Sequence, residues 1–194
     1  MRTSHFERET RETSITVDIN LDGAGISEIG TPLNFLNHVL ESFSKHSKID
    51  IKISAKGDTE IDDHHTVEDC AICLAAALVE ALGDKRGIER FGFSMIPMDD
   101  SIASAAVDLG GRGYPNISLP FSEFDEKRVG DVSKENIVHF LETLSIEGKF
   151  NLYLNVNGRN DHHKVEACFK ALARALRMAV KVVDDEIPST KGEI

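Results

Sequence analysis

The chain has 194 residues, of which 41% are hydrophobic and 28% are charged, an ordinary balance for one globular protein. Acidic residues outnumber basic ones by 33 to 22, and the formal charge of −11 argues against nucleic acid or an anionic membrane surface as a partner. We expect a soluble, cytoplasmic protein, because no apolar run is long enough to span a bilayer and the N-terminal residues lack a signal peptide's apolar core.

The elements of the first half are predicted from hydrophobic periodicity. Alternation of apolar and polar residues predicts strands over 14–21 and over 49–57, the second with the sequence IDIKISAKG. Between them, the start signal Thr31-Pro32 predicts a helix over 32–45. A long helix is predicted over 64–82, with Gly83 in the position that commonly ends a helix.

The second half begins with several strands and then follows the same order. Strands are predicted over 92–95, 103–109 and 116–119, and Ser133 marks the start of a helix over 134–146. The alternating segment FNLYLNVNG predicts another strand, and an alanine-rich helix follows over 162–182. The polar tail EIPSTKGEI contains Pro188 and is predicted to be a loop.

An internal repeat relates the two halves. The segment NFLNHVLESFS, residues 34–44, aligns with ENIVHFLETLS, residues 135–145, and pairs His38 with His139. After a three-residue deletion, DHHTVE at 63–68 lies over DHHKVE at 161–166. Ordered matches across two helices and a strand indicate a duplication. We therefore predict an α+β protein with halves at 1–87 and 88–194, each packing two helices on one face of a sheet.

Cys70 and Cys73 form a C-x-x-C pair inside the predicted helix over 64–82. A redox pair usually lies at an exposed helix N-terminus, and a zinc site needs further ligands nearby. We therefore predict buried, inert thiols rather than a redox or zinc site.

The repeated histidines indicate metal binding. In each H-H-x-x-E motif the first histidine and the glutamate share one helix face, while the second histidine is turned about 100° away. Adjacent histidines are therefore expected to bind two different ions, each with three histidines and one glutamate, and such a set suits Mn²⁺, Fe²⁺ or Zn²⁺. His5 and His46 have no counterpart in the repeat and are interpreted as surface or capping groups. The predicted ligands are His38, His64, His65, Glu68, His139, His162, His163 and Glu166.

Four acidic residues near these motifs have two possible roles each. Asp63 and Asp161 precede the paired histidines, and capping of the two long helices is preferred to orientation of the ligands. Glu41 and Glu142 follow the single histidines by three residues and could either support the ligands or face solvent.

The motifs resemble those of the imidazoleglycerol-phosphate dehydratase family. The resemblance covers nearly the whole chain and includes FLNHVL, DDHHTVEDC, GIERFG, PMDD, NDHHKVEACFKALARALR and STKG. It implies a duplicated fold of the ribosomal protein S5 domain 2-like type, and Mn²⁺-dependent dehydration of imidazoleglycerol phosphate to imidazole acetol phosphate in histidine biosynthesis. It also implies trimers assembled into a 24-subunit shell, with two Mn²⁺ ions per chain at sites between subunits.

The same resemblance implies roles for residues outside the histidine motifs. Glu12 matches the N-terminal glutamate to which acid–base catalysis is assigned. A substrate-phosphate site maps to Arg90, Arg112, Ser189 and Lys191.

Three positions depart from the usual family pattern. Ser42 replaces a glutamine that contacts substrate, Asp100 replaces a glutamate, and Gly110 replaces a serine. These departures concern secondary substrate contacts and not the metal ligands.

Two other functions use similar residues. A dinuclear metallohydrolase would normally hold its ions together with a bridging carboxylate, whereas each motif here supplies one carboxylate to a separate site. A metal-storage shell would have no use for an Arg/Lys phosphate site.

Overall fold

The computed structural model describes residues 1–122, 126–192 and 194. Its first six elements form one unit of four strands and two helices, in which three strands come first and the fourth strand lies between the two helices in the chain. They are β1 (Thr3–Glu9), β2 (Thr13–Asn20), β3 (Ser27–Gly30), α1 (Asn34–Ser47), β4 (Asp50–Gly57) and α2 (His64–Leu82).

The remaining elements repeat this order after a short connection. A two-stranded ribbon, β8 with β9, is the one addition among the described residues. The elements are β5 (Phe91–Met98), β6 (Ser101–Asp108), β7 (Tyr114–Ser118), β8 (Arg128–Val129), β9 (Val132–Ser133), α3 (Lys134–Glu147), β10 (Asn151–Asn157) and α4 (Asp161–Ala179).

The two four-stranded sheets have the same topology. Their strand orders are β1-β2-β4-β3 and β5-β6-β10-β7, and in each sheet the first three strands are antiparallel and the last is parallel to its neighbour. The duplicated α+β architecture predicted from the sequence is therefore confirmed. The exact division into 1–87 and 88–194 stays a prediction.

The helices of opposite halves pack against each other between the sheets. Helix α1 contacts α4, and α2 contacts α3. Each helix buries one apolar face in a continuous core, in which the rings of Phe140 and Phe169 lie 5.7 Å apart. This cross-packing brings together side chains that are far apart in the chain, such as His38 with Glu166, 128 positions apart, and His64 with Asn136, 72 positions apart.

Strand and helix limits differ from the predictions at several places. Strands β1 and β3 were not predicted, because β1 is an edge strand with mostly exposed side chains and β3 has only four residues. Helix α4 ends at Ala179, three residues early, and the tail beyond it is irregular as predicted. Helix α2 has the predicted bounds, with Gly83 at its end.

Asp63 does not cap α2, so the capping prediction is wrong for this residue. Its backbone is helical, with φ −89° and ψ −5°, whereas a capping side chain needs an extended backbone. The carboxylate instead accepts hydrogen bonds from the N–H and hydroxyl groups of Ser133, both at 2.7 Å. Because Ser133 immediately precedes α3, Asp63 joins the starts of α2 and α3.

Asp161 does not cap α4 either. The cap is Asn160, which has an extended backbone and accepts a hydrogen bond from the N–H of His163 at 3.1 Å. The Asp161 carboxylate forms ion pairs with Lys134, at 2.7 Å, and with Lys164. It therefore joins α3 to the start of α4.

The three cysteines are buried and free, as predicted. Burial raises the pKa of Cys73 to about 12 and raises the pKa of Cys70 and Cys168 further, so these thiols stay protonated and unreactive at neutral pH. In the part of the chain that is described, no helix is both long and apolar enough to cross a membrane.

Candidate metal centres

One set of side chains that could hold a metal ion lies between α1 and α4. This α1–α4 cluster consists of His38, His162 and Glu166. Oε1 of Glu166 is 3.1 Å from Nε2 of His38 and 2.9 Å from Nε2 of His162. A cavity of about 470 Å³ opens beside these side chains, so the cluster is accessible to solvent and to small molecules.

A second set lies between α2 and α3. This α2–α3 cluster consists of His64, Glu68 and His139. Oε1 of Glu68 is 3.0 Å from Nε2 of His139, and its Oε2 is 3.9 Å from Nε2 of His64. The two imidazole rings stack with their centroids 5.0 Å apart. Each cluster thus combines the H-x-x-x-E pair of one half with the single histidine of the other half.

The donor chemistry of both clusters fits a divalent metal ion. In each, two imidazole nitrogens and one carboxylate oxygen lie within 4.8 Å of one another. Two nitrogens with one oxygen suit Mn²⁺, Fe²⁺ or Zn²⁺ and leave further coordination positions open. Among the described residues, no other group of three His, Cys, Asp or Glu side chains converges in this way.

Glu166 is ionised in this environment. Burial favours the neutral acid, but hydrogen bonds from Lys170, His38 and His162 outweigh it and lower the pKa to about 2. The carboxylate is therefore in the form that binds a cation. Lys170 was not singled out in the sequence, although its position four residues after Glu166 places both on one face of α4.

His65 and His163 lie outside both clusters. Nδ1 of His65 is 3.1 Å from Oδ2 of Asp58, and Nδ1 of His163 is 2.6 Å from Oδ1 of Asp100. A carboxylate at Nδ1 holds the proton on that nitrogen, which is the usual arrangement of a histidine that binds a metal through Nε2. These carboxylates raise the pKa of both histidines.

A supporting contact at the α2–α3 cluster involves Asn136 and Asp63. Nδ1 of His64 lies 3.0 Å from Oδ1 of Asn136, so this nitrogen carries the proton and Nε2 faces Glu68. The Asn136 side chain also bonds Asp63, and with the bonds from Ser133 it lowers the pKa of this carboxyl despite burial. Asp63 thus orients a candidate ligand indirectly, which was the alternative to capping.

The corresponding contact at the α1–α4 cluster is apolar. Phe35, which aligns with Asn136 in the repeat, packs its ring 5.2 Å from that of His162. The duplication has therefore kept the candidate metal ligands, while the groups that orient them have diverged.

Glu12 lies in the turn between β1 and β2, close to His65. Its Oε2 is 3.7 Å from Nδ1 of His65, and about half of its side chain is exposed. In the other half, the turn between β5 and β6 places Oδ2 of Asp99 at 3.5 Å from Nε2 of His163. His65 and His163, the histidines outside the two clusters, are thus each faced by a carboxylate from the first hairpin of their own half.

The four residues of the predicted phosphate site lie at the other end of the second sheet. Arg90 donates to the Asp108 carboxylate and, through Nη1, to the carbonyl oxygen of Pro188 at 2.8 Å. Ser189, which follows Pro188 in the tail, is therefore close to Arg90, and Lys191 is two residues further along the chain. The site consists of Arg90, Arg112, Ser189 and Lys191. Within the described ranges, no hydrogen bond or ion pair links any of these four residues to either cluster.

Two of the unusual residues have local explanations. A Cβ atom on Gly110 would lie 2.9 Å from Nη2 of Arg90, so glycine leaves room for the Arg90–Asp108 ion pair. Asp100 accepts hydrogen bonds from His163 and from the N–H groups of Arg159 and Asn160, which together lower its pKa. An aspartate therefore reaches all three donors at this position.

Glu41, Glu142, His5 and His46 lie outside both clusters. His5 is exposed on β1, where it contacts the Asp18 carboxylate at 2.6 Å. This agrees with its interpretation as a surface group.

Comparison with known proteins gives a consistent match. Residues 31–176 match the family described as imidazoleglycerol-phosphate dehydratase. The imidazoleglycerol-phosphate dehydratase of Methanothermobacter thermautotrophicus is 53% identical over 194 residues, covering 100% of this chain and 98% of that protein. The protein of the same name from Chloroherpeton thalassium is 50% identical over 195 residues, with coverage of 100% and 98%.

Solved structures show the same similarity. The crystal structure of imidazoleglycerol-phosphate dehydratase from Staphylococcus aureus superposes with a TM-score of 0.82 at 32% identity, covering 93% of this chain and 99% of that one. The structure from Pyrococcus furiosus gives a TM-score of 0.83 at 33% identity, with coverage of 97% and 99%.

Proposed function

Because the chain belongs to the imidazoleglycerol-phosphate dehydratase family, a family of hydro-lyases of histidine biosynthesis, we propose that it dehydrates imidazoleglycerol phosphate with two metal ions per chain. The product is imidazole acetol phosphate, the proposed metal is Mn²⁺, and the proposed location is the cytoplasm. The observation that carries this proposal is the pair of equivalent His₂Glu clusters, each assembled from both halves of the duplicated chain.

The donor set supports the metal assignment. One ion would be held by His38, His162 and Glu166, and the other by His64, Glu68 and His139, with His65 and His163 proposed as the additional ligands of ions shared with neighbouring chains. Bound there, the ions supply Lewis-acid stabilisation of negative charge on the substrate's imidazole ring and a template for its orientation. The separate carboxylates argue against the bridged pair of a metallohydrolase.

The distance between the clusters and the phosphate site supports sites shared between chains. Arg90 precedes the eight-residue strand β5, whose other end leads to Asp99 and Asp100 beside His163, and such a strand spans about 25 Å. Glu166 and Ala179, whose carbonyl accepts from the Arg90 N–H, are 13 residues apart on α4, or about 20 Å. Imidazoleglycerol phosphate joins its ring and phosphate by three carbons only. We propose that Arg90 and the metal ligands that meet one substrate come from different chains.

Glu12 is proposed as the acid–base group. Dehydration requires removal of a proton bound to carbon while the neighbouring hydroxyl group leaves, and the resulting enol becomes the ketone of the product. The Glu12 carboxylate projects beside His65, is half exposed and is bonded to no Lys or Arg side chain among the described residues, so its Oε2 can be reached by a substrate. Arg90, Arg112, Ser189 and Lys191 would hold the phosphate and so fix the carbon atoms relative to that oxygen.

The reaction is tested by incubating metal-loaded protein with imidazoleglycerol phosphate and following the products by NMR. We expect conversion to the ketone imidazole acetol phosphate and loss of turnover after chelation. Metal uptake without conversion would instead indicate a storage shell and would contradict the proposal. Glycerol phosphate, which lacks the imidazole ring, serves as the control substrate and should be unchanged.

Assembly is expected to depend on the metal. Ligands shared between chains would join subunits, so chelation should convert the proposed 24-subunit shell into smaller oligomers and Mn²⁺ should rebuild it. Trimers, the smaller assembly that the family resemblance implies, are the expected product, and exposed apolar side chains on the outer face of the second sheet offer a contact that does not depend on metal. Exposed fractions on that face are 54% for Phe91, 70% for Phe93, 66% for Met95, 67% for Tyr114 and 49% for Tyr153. Light scattering measures the change, and an identical mass with and without metal would argue against shared sites.

Replacement of Lys191 is expected to weaken substrate binding. Lys191 lies in the irregular tail, where its backbone N–H donates to Ser189 Oγ at 3.2 Å and its side chain forms no hydrogen bond or ion pair with the residues that the structure describes. In Lys191→Ala, KM should rise and kcat/KM should fall, because a charge-assisted phosphate contact is lost and the glycerol carbons are held less well. Steady-state kinetics provide the measurement, and Lys181→Ala, a second exposed lysine after α4, is the matched control. Equal effects of the two substitutions would remove Lys191 from the phosphate site.

A further inference from the structure

A buried carboxylate lies directly behind the turn that carries Glu12. Asp69, on α2, is only 6% exposed, yet it belongs to neither metal-binding cluster. Its Oδ1 accepts a hydrogen bond from Nε of Arg8 at 3.0 Å, and its Oδ2 accepts a short hydrogen bond from the hydroxyl group of Thr13. Both donors come from the first hairpin, on the two sides of Glu12.

The hydroxyl group of Thr13 belongs to a network that fixes the backbone of the turn. Thr10 Oγ1 lies 3.2 Å from Thr13 Oγ1 and accepts from the N–H groups of Glu12, at 3.1 Å, and Thr13, at 3.0 Å. On the other side, the carbonyl oxygen of Glu12 accepts from the N–H of Asp58 at 3.1 Å. The backbone of Glu12 is therefore bonded at both its donor and its acceptor.

One face of α2 contacts both the Glu12 side chain and the turn that carries it. His65 and Asp69 are four residues apart on this helix and therefore project from one face. His65 meets the Glu12 side chain at 3.7 Å, while Asp69 holds the turn one helical turn further on. A shift of the turn along α2 would change the distance between Glu12 and His65 directly.

The second half lacks this arrangement. Ala167 aligns with Asp69 in the repeat and is fully buried without a polar side chain. The buried carboxylate is therefore not a requirement of the duplicated fold, and it occurs in the half that carries Glu12.

We propose that Asp69, acting through Thr13, is a positioning residue that holds the Glu12 carboxylate beside His65 for proton transfer. This inference rests on the acid–base role proposed above for Glu12. Proton transfer requires the carboxylate within hydrogen-bond reach of the reacting atom, and a misplacement of about 1 Å can cost about a hundredfold in rate.

The test compares two substitutions of Thr13 that differ in the hydroxyl group. Thr13→Val keeps the size and removes the donor, and we expect kcat to fall by about ten- to a hundredfold, with KM and bound metal unchanged. Thr13→Ser keeps the donor and should restore most of the rate. Asp69→Asn, which removes the charge and keeps the shape, is measured in parallel and should lower kcat in the same way.

The deciding readout is the effect of these substitutions in the Glu12→Gln background. If Asp69 and Thr13 act through Glu12, then Thr13→Val and Asp69→Asn cause no further loss once the carboxylate is absent. The same fractional loss in both backgrounds would indicate a general structural effect and would overturn the positioning role. Wild-type kcat in both Thr13→Val and Asp69→Asn would overturn it as well.

The outcomes separate this inference from the proposed function. A slow Glu12→Gln enzyme together with a fast Thr13→Val enzyme refutes only the positioning role. A fully active Glu12→Gln enzyme refutes the role of Glu12 itself, and with it the reason for positioning it.

Discussion

Replacing His38 with alanine is expected to remove about one metal ion per chain and to abolish turnover. The α1–α4 cluster would keep only His162 and Glu166, and loss of one of three converging ligands removes most of the affinity for an ion with open coordination positions. His46→Ala is the matched control, because it lies two turns further along α1 and outside both clusters. Metal analysis and the dehydration assay on the purified variants provide the measurement.

The same experiment applies to the other cluster. His64→Ala and Glu68→Ala should each deplete about one ion, and His162→Ala and Glu166→Ala should deplete the ion of the first cluster. Unchanged metal content in His64→Ala would contradict the assignment of the α2–α3 cluster. Equal loss of metal in His38→Ala and His46→Ala would indicate an effect on α1 as a whole.

Glu12→Gln is expected to lower kcat by about 10²–10⁴-fold while KM changes little. Glutamine keeps the shape and the exposed position of the side chain but cannot take a proton, so substrate binding is preserved and proton transfer is lost. Glu9→Gln is the matched control, since Glu9 is an exposed glutamate at the end of β1. Steady-state kinetics are measured on protein with normal metal content.

A near-wild-type kcat in Glu12→Gln would exclude this carboxylate from the mechanism. A similar loss in Glu9→Gln would show that the negative charge of the hairpin, and not one positioned oxygen, is required. An increase in KM without a change in kcat would assign Glu12 to substrate binding.

The candidate ligands could be predicted from the sequence because the duplication repeats them. His38 pairs with His139 and Glu68 with Glu166 at fixed offsets, and helix geometry separates each first histidine from the second. The sequence could not predict which half supplies the third residue of each cluster. That depends on α1 packing on α4 and α2 on α3, a long-range contact that local periodicity does not contain.

Residues that orient the site were less predictable. Asp58, Asn136 and Asp100 contact histidines through side-chain hydrogen bonds that depend on loop and helix positions. Capping by Asp63 was a reasonable expectation from residue type, but its helical backbone and the nearby Ser133 donors direct the carboxylate towards α3. Edge strand β1 escaped prediction because few of its side chains face the core.

Titration of metal-free protein with Mn²⁺, following bound metal and the rate of imidazoleglycerol phosphate dehydration together, tests the central claim most directly. The account predicts no turnover without metal and full activity at two bound ions per chain, one for each cluster. Activity that is independent of added metal, or that is complete at one ion per chain, would contradict it.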